Sequence, residues 1–297
     1  MSFSGNVKTE LCRLETGART IASAECYGIL LYANTFDENR IKIVTSSEDF
    51  AARLKKLFKK AFGVGFDAVE DGKKLTLTIE KPEKLSAILG AFGYEKLGAH
   101  HINLGAIEDD GAREAFLRGA FLSGGSVTDP EKSYHLELST DHYFVGREIG
   151  ALLQDMGFEP GSVQRGGNYV TYFKASNVIE DFLTTIGASV SAMEIMQKKI
   201  EKDMTNTVNR KVNCDTANVL KTVMASASQI EAIAKIRERG AFDALPEKLK
   251  EAAALREANP EMPLSELARE AGISKPGLSH RLKRLIEIAD NIESEKK

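Results

Sequence analysis

The residues of this chain best suited to a defined chemistry stand near its C-terminal end. Between Ser274 and Ile286 the sequence places Lys275, His280, Arg281, Lys283 and Arg284 and no carboxylate. Lys and Arg at helical spacing can meet phosphate oxygens, while Ser279 and His280, early in the same helix, can reach base edges in a major groove. A basic amphipathic helix can also be a solvated face, so its neighbours decide the reading. SELAREAG, from Ser265, reads as a short helix closed by Gly272, and Ser274 can cap the next helix with Pro276 in its first turn. Two helices joined by a short Gly-containing turn form a helix-turn-helix. A second polar cluster lies upstream at Asn206, Asn209, Arg210, Lys211 and Asn213. Its amides and cations could hydrogen-bond phosphates or bases, or could cap helix ends.

Other chemistries find little support. The stretch from Gly161 to Gly167 has no Lys-Ser or Lys-Thr after its glycines, so it is not a phosphate loop. His100 and His101 are adjacent, which points their rings apart in an extended chain and does not suggest one metal site. Cys12, Cys26 and Cys214 are odd in number and widely separated, which argues against a disulfide framework or a zinc site and fits a reducing cytoplasm. No metal and no cofactor are expected. No apolar run is long enough for a membrane span, and the N-terminus lacks the pattern of a secretory signal. The formal net charge of −3 does not exclude nucleic acid, because local clusters carry that interaction.

The elements that must hold these residues begin with two related segments, CYGILLYAN (26–34) and LRGAFLSGG (117–125). Their glycines, Gly28 and Gly119, lie 91 residues apart; Gly63 and Gly157, like Gly93 and Gly187, lie 94 apart. The extra three residues fit the TDPEKS turn. Positions four apart share a helix face, so Gly119 with Ser123, and Gly28 with Tyr32, predict a tightly crossed pair of helices between two duplicated modules. Residues 8–18 and 20–34 read as helices, 40–45 as a strand, 50–62 as a helix, 73–82 as a strand and 83–93 as a short helix. The same order recurs up to Ala188. The expected fold class is therefore α+β with pseudo-twofold symmetry over 1–190, in modules of about 8–98 and 99–190. A helical connector over 191–240 and an all-α helix-turn-helix unit over 241–297 follow. Within the helix read at 50–62, Arg53, Lys55, Lys56, Lys59 and Lys60 give the first module a basic helix. That helix reads equally well as a solvated face or as a contact for DNA or protein.

With these motifs in hand, the paired helices resemble the LAGLIDADG homing endonuclease fold. Its attachment to a C-terminal helix-turn-helix resembles the WhiA family of sporulation and cell-division regulators. The resemblance covers nearly the whole chain and is carried by AFLRGAFLSGGSVTDPEKSYHLE, NRKVNCDTANVLKT and ELAREAGISKPGLSHRLKRL. In active nucleases of that fold a carboxylate near the end of each motif helix binds the divalent metal. The matching positions here, Ala33 and Gly124, cannot; Asp37, Glu38, Asp129 and Glu131 lie in the turns that follow. The resemblance thus implies a nucleoid-associated transcription regulator on promoter DNA, with another regulator or RNA polymerase as a further partner and no nuclease activity. A metal-dependent DNA endonuclease is the alternative reading.

Overall fold

The computed structural model describes residues 2–94 and 98–294; residues 95–97 of the first module and 295–297 of the terminal unit lie outside the described residues. The chain divides into two compact units, Met1–Lys202 and Asp203–Lys297.

In the first unit, helix α1 (Phe3–Arg13) starts before the expected 8–18 because Ser2 caps it, its Oγ accepting the Gly5 N–H at 3.2 Å. Helix α2 (Arg19–Leu31) follows, then strands β1 (Thr35–Phe36) and β2 (Ile41–Thr45), helix α3 (Glu48–Phe62), strands β3 (Ala68–Asp71) and β4 (Leu75–Ile79), and helix α4 (Pro82–Ala91). The second module repeats the order with α5 (Asp110–Gly124), β5 (Gly125–Val127), β6 (Leu136–Thr140), α6 (Tyr143–Asp155), β7 (Gly161–Arg165), β8 (Asn168–Phe173) and α7 (Ser176–Thr185). Each module carries a four-stranded antiparallel sheet, ordered β1-β2-β4-β3 and β5-β6-β8-β7. The fold class is α+β with a duplicated LAGLIDADG-like domain. The duplication extends to backbone detail: Gly63 and Gly157 both take positive φ, +73° and +88°, as helix ends.

The sequence pattern showed the two central strands of each sheet and missed the edges. β1 has only two residues, of which Phe36 is buried, too few to show an alternation, and β3 is exposed throughout, with no buried face to write one. In β2 that alternation is clear, with Ile41 and Ile43 buried beneath Lys42. One core runs through both modules, centred on α2 and α5, with Tyr27, Leu30, Phe116 and Phe121 all fully buried.

Helix α8 (Ser189–Glu238) covers the expected connector and is unbroken through its asparagine-rich stretch. Its residues up to Lys202 belong to the first unit. In the second unit its last turns join α9 (Glu247–Ala258), α10 (Leu264–Glu270) and α11 (Lys275–Ser294) around a separate core of Ile233, Ile236, Leu267, Leu278 and Leu282. Arg256 is buried in this unit, donating to the carbonyls of Asn259 at 3.1 Å and Met262 at 2.9 Å. It ties the end of α9 to the chain entering α10.

Candidate nucleic-acid interface and motif seam

At the crossing of α2 and α5 the two motif glycines let the backbones touch. A methyl group on Gly28 would overlap the Phe116 carbonyl and stand 2.8 Å from the Ala120 nitrogen. One on Gly119 would overlap the Glu25 carbonyl and stand 2.9 Å from the Ile29 nitrogen. Below the crossing, Ser123 Oγ donates to the Tyr32 carbonyl at 2.9 Å, and Thr140 Oγ1 donates to the Leu31 carbonyl at 3.2 Å. Both hydroxyls satisfy carbonyls at the open end of α2. The four seam residues, Gly28, Tyr32, Gly119 and Ser123, are thus brought to one interface.

The same seam buries an ion cluster that sequence reasoning missed. Glu25 is fully buried, and its carboxylate accepts from Arg53 Nε at 2.5 Å and Nη2 at 2.8 Å, and from Arg118 Nε at 3.1 Å. Arg53 also donates to the Leu14 carbonyl at 2.6 Å and Arg118 to the Ile186 carbonyl at 3.0 Å. Arg53, grouped above with the surface lysines of α3, is corrected: it is 2% exposed and faces inward, where Leu54 and Leu57 also point. Lys55, Lys56, Lys59 and Lys60 remain exposed. The signal available was a single carboxylate, Glu25, inside an apolar helix, which demands a cationic partner.

At the nuclease-equivalent positions, Ala33 is buried and Gly124 has no room for a side chain. A Cβ there would stand 2.5 Å from the Ser139 carbonyl oxygen and 2.6 Å from Tyr32 Cδ1. The turn carboxylates have local work: Asp37 accepts the N–H groups of Asn39 and Arg40, both at 2.8 Å, and Asp129 accepts that of Glu131 at 2.9 Å. Glu131 pairs with Lys198 at 3.1 Å. Among the described residues no group of three or more His, Cys, Asp or Glu could hold a metal ion.

In the second unit, α11 is divided into two faces. Leu278, Leu282, Leu285 and Ala289 are buried on one, while Lys275, His280, Lys283 and Arg284 are exposed on the other, with Ser279 half-buried beside them. Ser274 is spent on structure, its Oγ accepting the Gly277 N–H at 3.2 Å. Arg281, three residues after Leu278, is carried to the flank of the core and leans to Glu251 of α9 at 3.7 Å. Arg284 pairs with the exposed Glu287 at 2.8 Å, a bond that water and salt screen. Lys283 and Arg284 are the cations best placed to meet phosphates.

Asn209, Arg210, Lys211 and Asn213 lie in the interior of α8 and are exposed, so they cap no helix end. Asn206, Asn209, Arg210 and Asn213 share one face by their three- and four-residue spacing; Lys211 points elsewhere. His100 and His101 also diverge. His100 stacks on His142 at 3.8 Å and donates to the Phe36 carbonyl at 2.6 Å, while His101 meets Glu148 at 2.6 Å.

A duplicated α+β LAGLIDADG-like domain followed in the chain by a helical unit with a helix-turn-helix defines a class of protein on its own. Family models agree: the WhiA LAGLIDADG-like domain matches residues 35–101 and 113–205, and the WhiA C-terminal HTH domain matches residues 208–289. The chain belongs to the WhiA family. It is 39% identical to a probable cell division protein WhiA of Ruminiclostridium cellulolyticum, over 98% of each chain. To a relative of the same name from Staphylococcus haemolyticus it is 36% identical, over 100% of this chain and 99% of that one. A crystal structure of full-length WhiA from Thermatoga maritima aligns with a TM-score of 0.61 at 29% identity, covering 98% of this chain and 99% of that one. No helix among the described residues is long and apolar enough to cross a membrane.

Proposed function

We propose that this protein is a sequence-specific regulator of transcription that binds double-stranded promoter DNA through its helix-turn-helix and does not cut it. The observation that carries the reading is the exposed basic face of α11, His280, Lys283 and Arg284, opposite a leucine core that fixes the helix in place. A helix so held can enter a major groove and set cations on the flanking phosphates. The polar face of α8 at Asn209, Arg210 and Asn213 adds hydrogen-bonding groups, and we assign it to DNA as well. In this reading 191–240 acts as a helical connector between a LAGLIDADG-like domain of 1–190 and a DNA-binding domain of 241–297. The relatives named probable cell division protein WhiA support a role in cell division; we assign the protein to that process or to chromosome segregation or sporulation, acting on the nucleoid in the cytoplasm. Another regulator or RNA polymerase is the further partner.

The absence of nuclease chemistry is supported by Ala33 and by the filled space at Gly124. The test of DNA binding is the pair Lys283→Ala and Arg284→Ala in the full chain. Each lost phosphate contact lowers the slope of log affinity against log salt by about 0.9, so the double variant should bind promoter DNA more weakly and with a slope flatter by about 1.8. Unchanged affinity and slope, in a variant whose circular dichroism is unaltered, would remove α11 from the interface.

A further inference from the structure

Beside the motif seam the first unit holds a cavity of about 700 Å³, within the size range of small-molecule sites. Its walls come from five separated segments: the start of α1, the turn after α2, the end of β2 with the start of α3, Lys74, and the end of α5. Lys8 stands in this wall; among the described residues it makes no hydrogen bond and no ion pair with a carboxylate, and its ammonium lies 5.8 Å from the centre of the Phe121 ring. Burial pushes its ammonium down to about 8. The two inward-turned guanidiniums of the unit are matched differently, since both Arg53 and Arg118 rest on Glu25. A half-buried cation without a counter-charge in contact is costly, and the cavity beside it leaves room for an anion in direct contact, which Glu48 and Asp49 on the α3 side do not make.

The other lining groups are consistent with that absence. Tyr32 is 7% exposed, and its phenol has no hydrogen-bond partner among the described residues. Asn34 uses its side-chain oxygen on the Val44 N–H at 2.8 Å, which leaves its amide donors. Helix α1 has no acidic residue in its first turn, so the positive end of its dipole is uncompensated where Ser2 and Gly5 line the cavity. Glu48 and Asp49 line the cavity from the start of α3 and are exposed, where they can accept from hydroxyl or amine groups.

We propose that this cavity binds a small phosphorylated metabolite bearing hydroxyl groups, a sugar phosphate or a nucleoside monophosphate, with its phosphate against Lys8 and its hydroxyls toward Glu48 and Asp49. A lysine without a guanidinium fork beside it acts as a point charge, which suits a tetrahedral phosphate better than a planar carboxylate. The site adjoins the ends of both motif helices through Tyr32 and Ser123, so its occupancy would be felt at the seam. It does not depend on the helix-turn-helix or on DNA.

The test is titration calorimetry and thermal melting of the full chain with inorganic phosphate, ribose 5-phosphate and adenosine monophosphate. At least one of the two organic phosphates should bind saturably, raise the melting temperature and bind more tightly than inorganic phosphate. Lys8→Met should weaken that binding by about tenfold or more, the loss expected for a charge-assisted hydrogen bond, while Lys8→Arg retains part of it. Replacing Glu48 and Asp49 by Gln and Asn should weaken the organic phosphates and leave inorganic phosphate unchanged. The proposal is overturned if none of the three ligands binds at millimolar concentration, or if Lys8→Met binds them as wild type does. It is also overturned if Lys8→Met alters only the salt dependence of duplex binding, because the phosphate is then the DNA backbone's.

Discussion

At the scale of single residues, Glu25 governs the first unit. Its carboxylate takes three hydrogen bonds from two guanidiniums that are 2% and 12% exposed, one from each module. Removing the anion leaves both cations buried without a partner, which costs far more than the pair itself contributes, about 3–5 kcal/mol for a broken buried pair. Glu25→Gln should therefore lower stability by that order in urea unfolding, and a Glu25→Leu, Arg53→Met, Arg118→Met triple variant, which leaves no guanidinium without its anion, should recover much of the loss. If Glu25→Gln unfolds at the wild-type midpoint, the cluster has no part in holding the modules together. None of this pairing was legible in the sequence. Residues 25, 53 and 118 lie far apart, Arg53 sits among surface lysines, and only the tertiary fold turns it inward. Lys8 was hidden for the same reason, since its surroundings come from five segments. The basic residues of α11 were legible because they are local, spaced by the helix repeat against their own leucines.

At the scale of elements, the α2–α5 seam and the linker between the modules carry opposite sensitivities. The seam is steric. Gly119→Ala drives a methyl into the Glu25 carbonyl, and with backbone on both sides the helices must separate. A loss of about 3 kcal/mol or more is expected in denaturant unfolding, whereas Gly150→Ala, in the interior of α6 with open space around it, should raise the midpoint slightly, by the helix preference of Ala over Gly of about 0.5–1 kcal/mol. This seam was readable from two glycines at matched offsets, since only a close approach demands a residue without a side chain. The linker is electrostatic. His100 and His142 are stacked and half-buried, and desolvation lowers both below the ordinary value of 6.5; His100 lowers His142 further, while the Phe36 carbonyl and the Asp37 carboxylate oppose the shift in His100 and Asp141 opposes it in both. The unfolded chain then binds more protons than the folded one just below pH 6.5. Stability is full above that pH and falls as pH drops through it, until the folded-state values are passed. Melting temperature followed from pH 7.5 to 5.5 should decline, and the His142→Phe variant should decline less; equal slopes would exclude the pair as the cause.

At the scale of the whole chain, duplication and division of work leave separate marks. The two modules keep the same strand order and the same left-handed helix ends, yet their motif ends have diverged to Ala33 and Gly124, and the basic helix α3 has no basic counterpart in α6, where Arg147 bonds Tyr143. Symmetry has been retained where it packs and lost where it would bind metal or grip a duplex evenly. The second unit has a core that shares no residue with the first. Leu282 lies at the centre of it, fully buried on the side of α11 opposite Lys283 and Arg284. Truncation at such a site costs about 2–5 kcal/mol through lost contact and the cavity left behind. Leu282→Ala in the full chain should therefore lower one calorimetric transition and weaken promoter binding with it, while the transition that Gly119→Ala lowers stays where it is in wild type. Were a single transition to move as a whole under both substitutions, the two cores would be one cooperative unit, and the reading of α11 as an independently supported DNA-contacting helix would have to give way to one in which the motif seam and the basic helix stand or fall together.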